Sequence, residues 1–445
     1  MSLPVRALAL TLVCAALPLA ADPARLSGHG GPVMDVAVSP GGHVATASFD
    51  NAVGLWSGDG PRWLDGHAAA VNAVLFPGAS AVFSGGDDFA VRQWTPETGA
   101  SQVLGQHRGK VSALALSPTV PLLASASWDG TVALWKIAAV GATQPSQGDD
   151  AIVLRGHDQG VNDVAFSADG TTLYTASADG TIRAWDPGTG AETRVIARHG
   201  FGVNRLVLGP GWLAYGAVDG GTRLVSPLTG ELLADFTAER RPILSLAYSD
   251  AAGLLAVGDG EGFIMVIDTA TRGVAHDFRA VSRGPVWALA FSPDGSRLYS
   301  GGLDPDLLVW EVAELEEAVP ATTAERASFL RDPETMSNGE RQFMRKCSIC
   351  HSLTPDTARK AGPTLHGVFG RRAGTVPGYV YSERLDGSDI TWTPDTIDAL
   401  FDQGPDHYIP GSKMPMQVIA KPGDRADLIA WLQTATATPD QGDQP

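Results

Sequence analysis

The chain has 445 residues, a formal net charge of −17, only 18% charged residues, and 52 glycines and 30 prolines. That length is too great for one ordinary core, and the glycine and proline content favours many short strands joined by tight turns over helical bundles. So acidic a chain repels phosphate backbones, which excludes nucleic acid as a partner and leaves a solubilising surface or one shaped for a basic protein.

Residues 1–21 read as an export signal. Arg6 gives the positive start, ALALTLVCAALPLA the apolar core, and LAAD the small residues for cleavage after Ala20 or Ala21. The apolar run is too short for a comfortable membrane span, and no later stretch approaches that length. Cys14 lies inside the run and goes with it. The mature chain then holds two cysteines, Cys347 and Cys350, and a periplasmic location is expected.

From about residue 22 to 312 one unit recurs. LRGHDQGVNDVAFSADGTTLYTASADGTIRAWD aligns with LGQHRGKVSALALSPTVPLLASASWDGTVALWK. Tryptophans fall at 56, 94, 135, 185 and 310, and Val225 and Ile267 take the same slot between the last two. The spacings are 38, 41, 50, 40, 42 and 43, the long one explained by a loop insertion at 138–150. Alternating stretches such as VNDVAFS suit half-buried strands, and a period near forty predicts seven four-stranded propeller blades.

This grammar resembles the WD-repeat family. The resemblance implies a histidine ahead of each inner strand, bonded to a turn aspartate, a hydroxyl and the tryptophan. The sets expected here are His29/Ser48/Asp50/Trp56, His107/Ser127/Asp129/Trp135 and His157/Ser177/Asp179/Trp185. Blade two keeps His67, Asp88 and Trp94 but has Gly86 in the serine slot, and blades five and six depart most. The resemblance further implies ring closure by residues 23–27 as outer strand of the last blade, which hides a sheet edge. One histidine per blade, each with its own aspartate, reads as structural rather than as a metal focus. No nucleophile motif or phosphate loop stands out, and a propeller top offers an interaction surface without defining a function.

After Trp310 the grammar changes. Residues 313–332 read as an acidic linker, and from 333 a helical period places Gly339, Phe343 and Cys347 on one face. KCSICHSL carries C-x-x-C-H, the spacing for covalent haem attachment, with His351 beneath the iron. A zinc half-site lacks a second cysteine pair, a thioredoxin-like pair wants a preceding strand, and a disulfide usually has other spacing. The loop HYIPGSKMPM adds a second axial candidate, Met414, with Met416 as the near alternative. A histidine–methionine pair raises the reduction potential and fills both axial positions, which suits electron transfer.

Residues 333–435 resemble a class I, mitochondrial-like cytochrome c. GERQFMRKCSICHSL, GPTLHGVFGRRAGTVPGYVYS, ITWTPDTI, YIPGSKM and RADLIAWL carry the resemblance. It implies a small all-α domain in which Gly339 and Phe343 cross Leu428 and Trp431. It implies that the Pro363 carbonyl orients His351, and that Arg371, Tyr381 and Trp392 hold a haem propionate, with Tyr379 a nearby candidate. Core packing is the plainer role for Tyr381 and Trp392. One departure matters: this region has eleven Lys/Arg against twelve Asp/Glu, so a lysine ring for docking onto an acidic oxidase is missing. Residues 22–332 instead carry 20 basic and 35 acidic residues.

The expected protein is therefore a multidomain chain: an all-β seven-bladed propeller, an acidic linker, a small all-α class I cytochrome c domain and a disordered tail at 436–445. One covalently attached haem c makes it a one-electron carrier rather than an enzyme. A redox protein docks through the propeller or the haem edge, and association with a membrane respiratory complex fits a chain with no span of its own. Two rivals stand beside it: an interaction scaffold whose haem serves assembly or redox sensing, and a propeller enzyme that feeds its own haem.

Overall fold

The computed structural model describes residues 23–57, 60–78, 81–137, 151–237, 242–281, 284–317, 335–348, 350–355, 360, 362–379, 381, 384–410, 414 and 418–437. The export signal, the insertion at 138–150, residues 318–332 of the acidic linker, Lys413, Met416 and most of the tail lie outside them.

Seven four-stranded antiparallel sheets form the propeller. The inner strands are β2 (Val33–Val38), β6 (Val71–Gly78), β10 (Val111–Leu116), β14 (Val161–Phe166), β18 (Val203–Gly209), β22 (Ile243–Ser249) and β26 (Val286–Phe291). Ring closure follows the expectation: β1 (Ala24–Leu26) pairs with β28 (Leu307–Glu311), Ala24 opposite Val309, so the last sheet is built from both ends of the repeat region. In blades five and six Val225 faces Leu213 and Ile267 faces Leu255, the register in which Trp56 faces Val44. The packing also runs past residue 312, because Leu315 on a 3-10 turn is buried against Phe278 and Trp310.

Each inner strand is bulged after its first residue, which turns the second residue into the central channel: Met34, Asn72, Ser112, Asn162, Asn204, Leu244 and Trp287. Polar residues there clasp neighbouring blades. Ser112 Oγ donates to Val161 O at 2.6 Å, Asn162 Nδ2 to Val203 O at 2.9 Å and Asn204 Nδ2 to Ile243 O at 2.9 Å. Burial pushes the Asp35 carboxyl up to about 6, although it accepts from Val36 N and Val74 N.

The blade relays correct the sequence expectation by two residues. His29, His67, His107 and His157 do bond Asp50, Asp88, Asp129 and Asp179 through Nδ1. The hydroxyl shared by each histidine Nε2 and each tryptophan Nε1 belongs to Thr46, Ser84, Ser125 and Thr175. Ser48, Ser127 and Ser177 instead bond loop carbonyls of Gly31, Gly109 and Gly160, and accept from the turn amides of Asp50, Asp129 and Asp179. Residues i and i+2 of a strand share one face, so spacing alone does not say which hydroxyl stands level with the tryptophan. Blade two is thus complete in its relay, with Ser84. Ser84→Ala is expected to lower propeller stability by about 1–3 kcal/mol, since it strands the buried Trp94 indole N–H and leaves His67 Nε2 without its hydroxyl partner. Gly86→Ala tests the turn instead, so a Ser84→Ala melt indistinguishable from wild type in urea would reject the relay.

Blade five carries an unforeseen variant. His199 bonds Asp219 at 2.8 Å, Tyr215 OH lies 3.4 Å from its Nδ1, and Arg223 joins them.

The C-terminal region is helical: α1 (Asn338–Lys346), α2 (Pro394–Gln403), α3 (Pro405–Tyr408) and α4 (Pro422–Ala435). Ser337 caps α1, and Thr393 with Thr396 forms a capping box on α2. The expected crossing is present. Phe343 packs on Trp431 with ring centroids 5.0 Å apart, Leu428 is fully buried, and a Cβ on Gly339 would collide with Asp427 O and Trp431. Thr436, bonded to Leu432 and Gly367, closes the fold beyond residue 435. Among the described residues no helix is long and apolar enough to cross a membrane.

Candidate haem-binding site

α1 ends where the chemistry begins. Cys347 is its C-cap, with its N–H bonded to Phe343 O, and the chain then turns tightly, Cys350 N and His351 N both donating to Cys347 O. That turn brings both sulfur atoms and the imidazole to one wall of a cavity of about 1030 Å³. Burial pushes the Cys347 thiol up to about 12 and the Cys350 thiol up to about 11, so both are neutral thiols here.

His351 is half-buried, and desolvation holds its pKa below the ordinary histidine value. It lies 2.7 Å through Nδ1 from the Pro363 carbonyl. A carbonyl only accepts, so Nδ1 carries the proton and Nε2 is left with its lone pair, the state a metal ligand needs. Gly362 makes room: its N–H bonds Cys350 O, and a Cβ there would overlap the His351 ring. Sequence reasoning passed over Gly362. The Gly-Pro pair beside the carbonyl was the available signal.

Met414 lines the same cavity and packs with Leu400, Phe401 and Ile409. All nine residues expected at the site do so: Cys347, Cys350, His351, Pro363, Arg371, Tyr379, Tyr381, Trp392 and Met414. Arg371 is partly committed elsewhere, because Nη1 and Nη2 donate to His366 O and Thr364 O at 2.7 Å each, which closes the loop after His351. Tyr379 and Tyr381 meet edge to face at 4.8 Å, and Val376 N donates to Tyr381 OH. Burial raises both phenols. Trp392 sits opposite Arg371 through a short bridge, its N–H bonded to Arg371 O at 3.0 Å.

Also missed was Arg425. Its Nε donates to Asp398 at 2.8 Å and its Nη1 meets Asp402 at 3.0 Å and Ile419 O at 2.9 Å, so α4 is tied to α2 and to the strand of chain behind Met414.

The donor set fits haem: two thiols, a neutral imidazole with Nε2 available, and a thioether converge on one cavity whose remaining lining is largely aliphatic and aromatic.

Comparison with known proteins agrees on both parts. The family model described as "WD domain, G-beta repeat" matches residues 23–57, 61–95, 100–136, 148–186 and 275–311, the five blades that keep the tryptophan. The cytochrome c family model matches 336–436. Cytochrome c of Sesamum indicum is 43% identical over 106 residues, 24% of this chain and 94% of that protein. Cytochrome c of Nigella damascena is 42% identical over 113 residues, 25% of this chain and all of that protein, and that of Cochliobolus lunatus 41% over 98, 22% of this chain and 90% of that protein. Family membership implies covalently attached haem c, a role in electron transfer, and a propeller that serves protein interaction. Through its C-terminal quarter, joined to a seven-bladed WD-repeat propeller, the chain belongs to the cytochrome c family.

Proposed function

We propose that the protein is a periplasmic one-electron carrier, with the propeller as the module that docks it to a redox partner. The observation that carries this reading is the meeting of His351 and Met414 on one cavity with both cysteines. Bound there, haem c would supply a single electron-exchanging iron. Cys347 and Cys350 would hold its porphyrin by thioether bonds. His351, oriented by the Pro363 carbonyl, would supply Nε2 to the iron, and Met414 its sulfur. With both positions filled, no site is open for a substrate, which argues against catalysis on a bound ligand. Arg371, Tyr379, Tyr381 and Trp392 line the same cavity and would hold a propionate.

The export signal at 1–21 supports the location. The excess of 35 acidic over 20 basic residues in 22–332 supports a basic partner, with strongly salt-dependent association. A peripheral place on a membrane respiratory complex is consistent with both.

The test is a visible redox titration of protein matured in a periplasm, with carbon monoxide added to the reduced form. One haem titrating as a single one-electron centre at positive potential, and ignoring carbon monoxide, is the expected result. Ready carbon monoxide binding overturns the carrier reading and brings sensing or catalysis forward.

A further inference from the structure

The haem cavity is not closed by the cytochrome fold alone. Its lining continues onto the propeller turns of blades one to three, including Phe49, Asp88, Phe89, Lys110 and Trp128. Lys110 and Trp128 also line the mouth of the propeller channel, so they form the wall common to both cavities. This patch carries two exposed aromatics. Trp128 is 56% exposed and Phe89 41%, and Phe89 adopts a φ of 67°, where blades three and four place Gly130 and Gly180. The Lys110 ammonium lies 3.4 Å from the Trp128 ring centroid and makes no hydrogen bond or ion pair among the described residues.

We infer that this propeller face is the intramolecular dock of the haem crevice, and that Lys110 is the cation it presents to the haem. The occupant is this chain's own cytochrome domain, because one continuous cavity is lined by both. The propeller side of the lining carries Asp87, Asp88 and Lys110, and the cytochrome side Lys346, Arg371 and Arg372, so among the described residues Lys110 is the one cation that blades one to three place on the cavity. Asp87 and Arg205 are the charged groups that act on Lys110, with opposite sign, and burial holds its pKa below the ordinary lysine value. A cation facing the cavity favours the ferrous state, which carries one positive charge fewer than the ferric. The propeller thereby sets the potential of the haem as well as recruiting a partner. This deepens the carrier reading and rests on it.

The experiment is the midpoint potential of the full-length holoprotein and three variants. Lys110→Glu is expected to shift the ferrous/ferric equilibrium about tenfold toward ferric, 59 mV for a one-electron couple, and Lys110→Gln in the same direction by less. Lys136→Glu, an exposed lysine at the far end of strand β12 (Thr131–Lys136), is the control for net charge and leaves the potential unchanged. The Lys110 shift shrinks as ionic strength rises from about 0.01 to about 1 M. Should Lys110→Glu disturb blade three, Lys110→Gln still reports. Equal potentials for the Lys110 and Lys136 variants, with a one-electron haem blind to carbon monoxide, overturn the dock and leave the carrier standing. Carbon monoxide binding in the wild type overturns the carrier reading, whatever Lys110 does.

Discussion

Met414→Ala is expected to lower the reduction potential by an amount on the order of a hundred millivolts, a fraction of the roughly 0.8 V that axial ligands span. The ferrous variant is also expected to bind carbon monoxide, and the wild type to ignore it. The reason is chemical. A thioether is a soft ligand that favours ferrous iron, and alanine leaves water or nothing in its place. The fold should survive, since Met414 is only partly buried and packs at the edge of a core whose centre is Phe343, Leu400, Leu428 and Leu432. The loss therefore reads on the iron rather than on stability. An unchanged visible spectrum and continued indifference to carbon monoxide would pass the ligand role to another residue of the same loop, Met416 first.

The second large effect is expected from Gly362→Ala, a change of one methyl group. The added carbon would overlap the His351 imidazole at Cε1, Nδ1 and Nε2. The ring must turn away, and the 2.7 Å bond from Nδ1 to the Pro363 carbonyl breaks with it. Loss of such an orienting bond typically weakens a metal ligand about 10–100-fold. Covalent haem should remain, because Cys347 and Cys350 are untouched, while the low-spin spectrum fades and the potential falls. Pro363→Ala provides the contrast, since the acceptor is a backbone carbonyl that alanine also has. A Gly362→Ala protein with a wild-type spectrum would show that the loop yields and that this glycine is dispensable.

The two changes together separate the sides of the cavity. One removes a ligand atom, and the other leaves every ligand in the chain and moves one of them. Carbon monoxide binding in both, with covalent haem retained in both, is the pattern that two-sided ligation predicts.

Much of this protein was legible in its residues. The blade period, the tryptophan slots down to Val225 and Ile267, and the Cys347–His351 motif rest on local spacing, which a linear string records in full, while closure of the ring by the residues before β2 came from the WD-repeat resemblance. The helix crossing at Gly339 was legible through the cytochrome c resemblance, which places a glycine and an aromatic of the first helix against the last. What spacing misjudged was depth. Ser48 and Thr46 share a strand face, and only the register of β3 (Val44–Ser48) against β4 (Ala52–Ser57), with Val44 opposite Trp56, puts Thr46 rather than Ser48 within reach of the Trp56 indole.

By itself the sequence determined the two architectures and the C-x-x-C-H motif of Cys347, Cys350 and His351, because each depends on residues within a few positions of one another or on a short repeat. Only the tertiary structure decided which hydroxyl completes each relay, that Gly362 clears the space for His351, that Arg425 ties α4 to Asp398 and Asp402, and that Lys110 and Trp128 meet the haem cavity across more than two hundred residues of chain. Those contacts are formed by packing between elements, and packing is a property of distances in space that one-dimensional spacing does not encode.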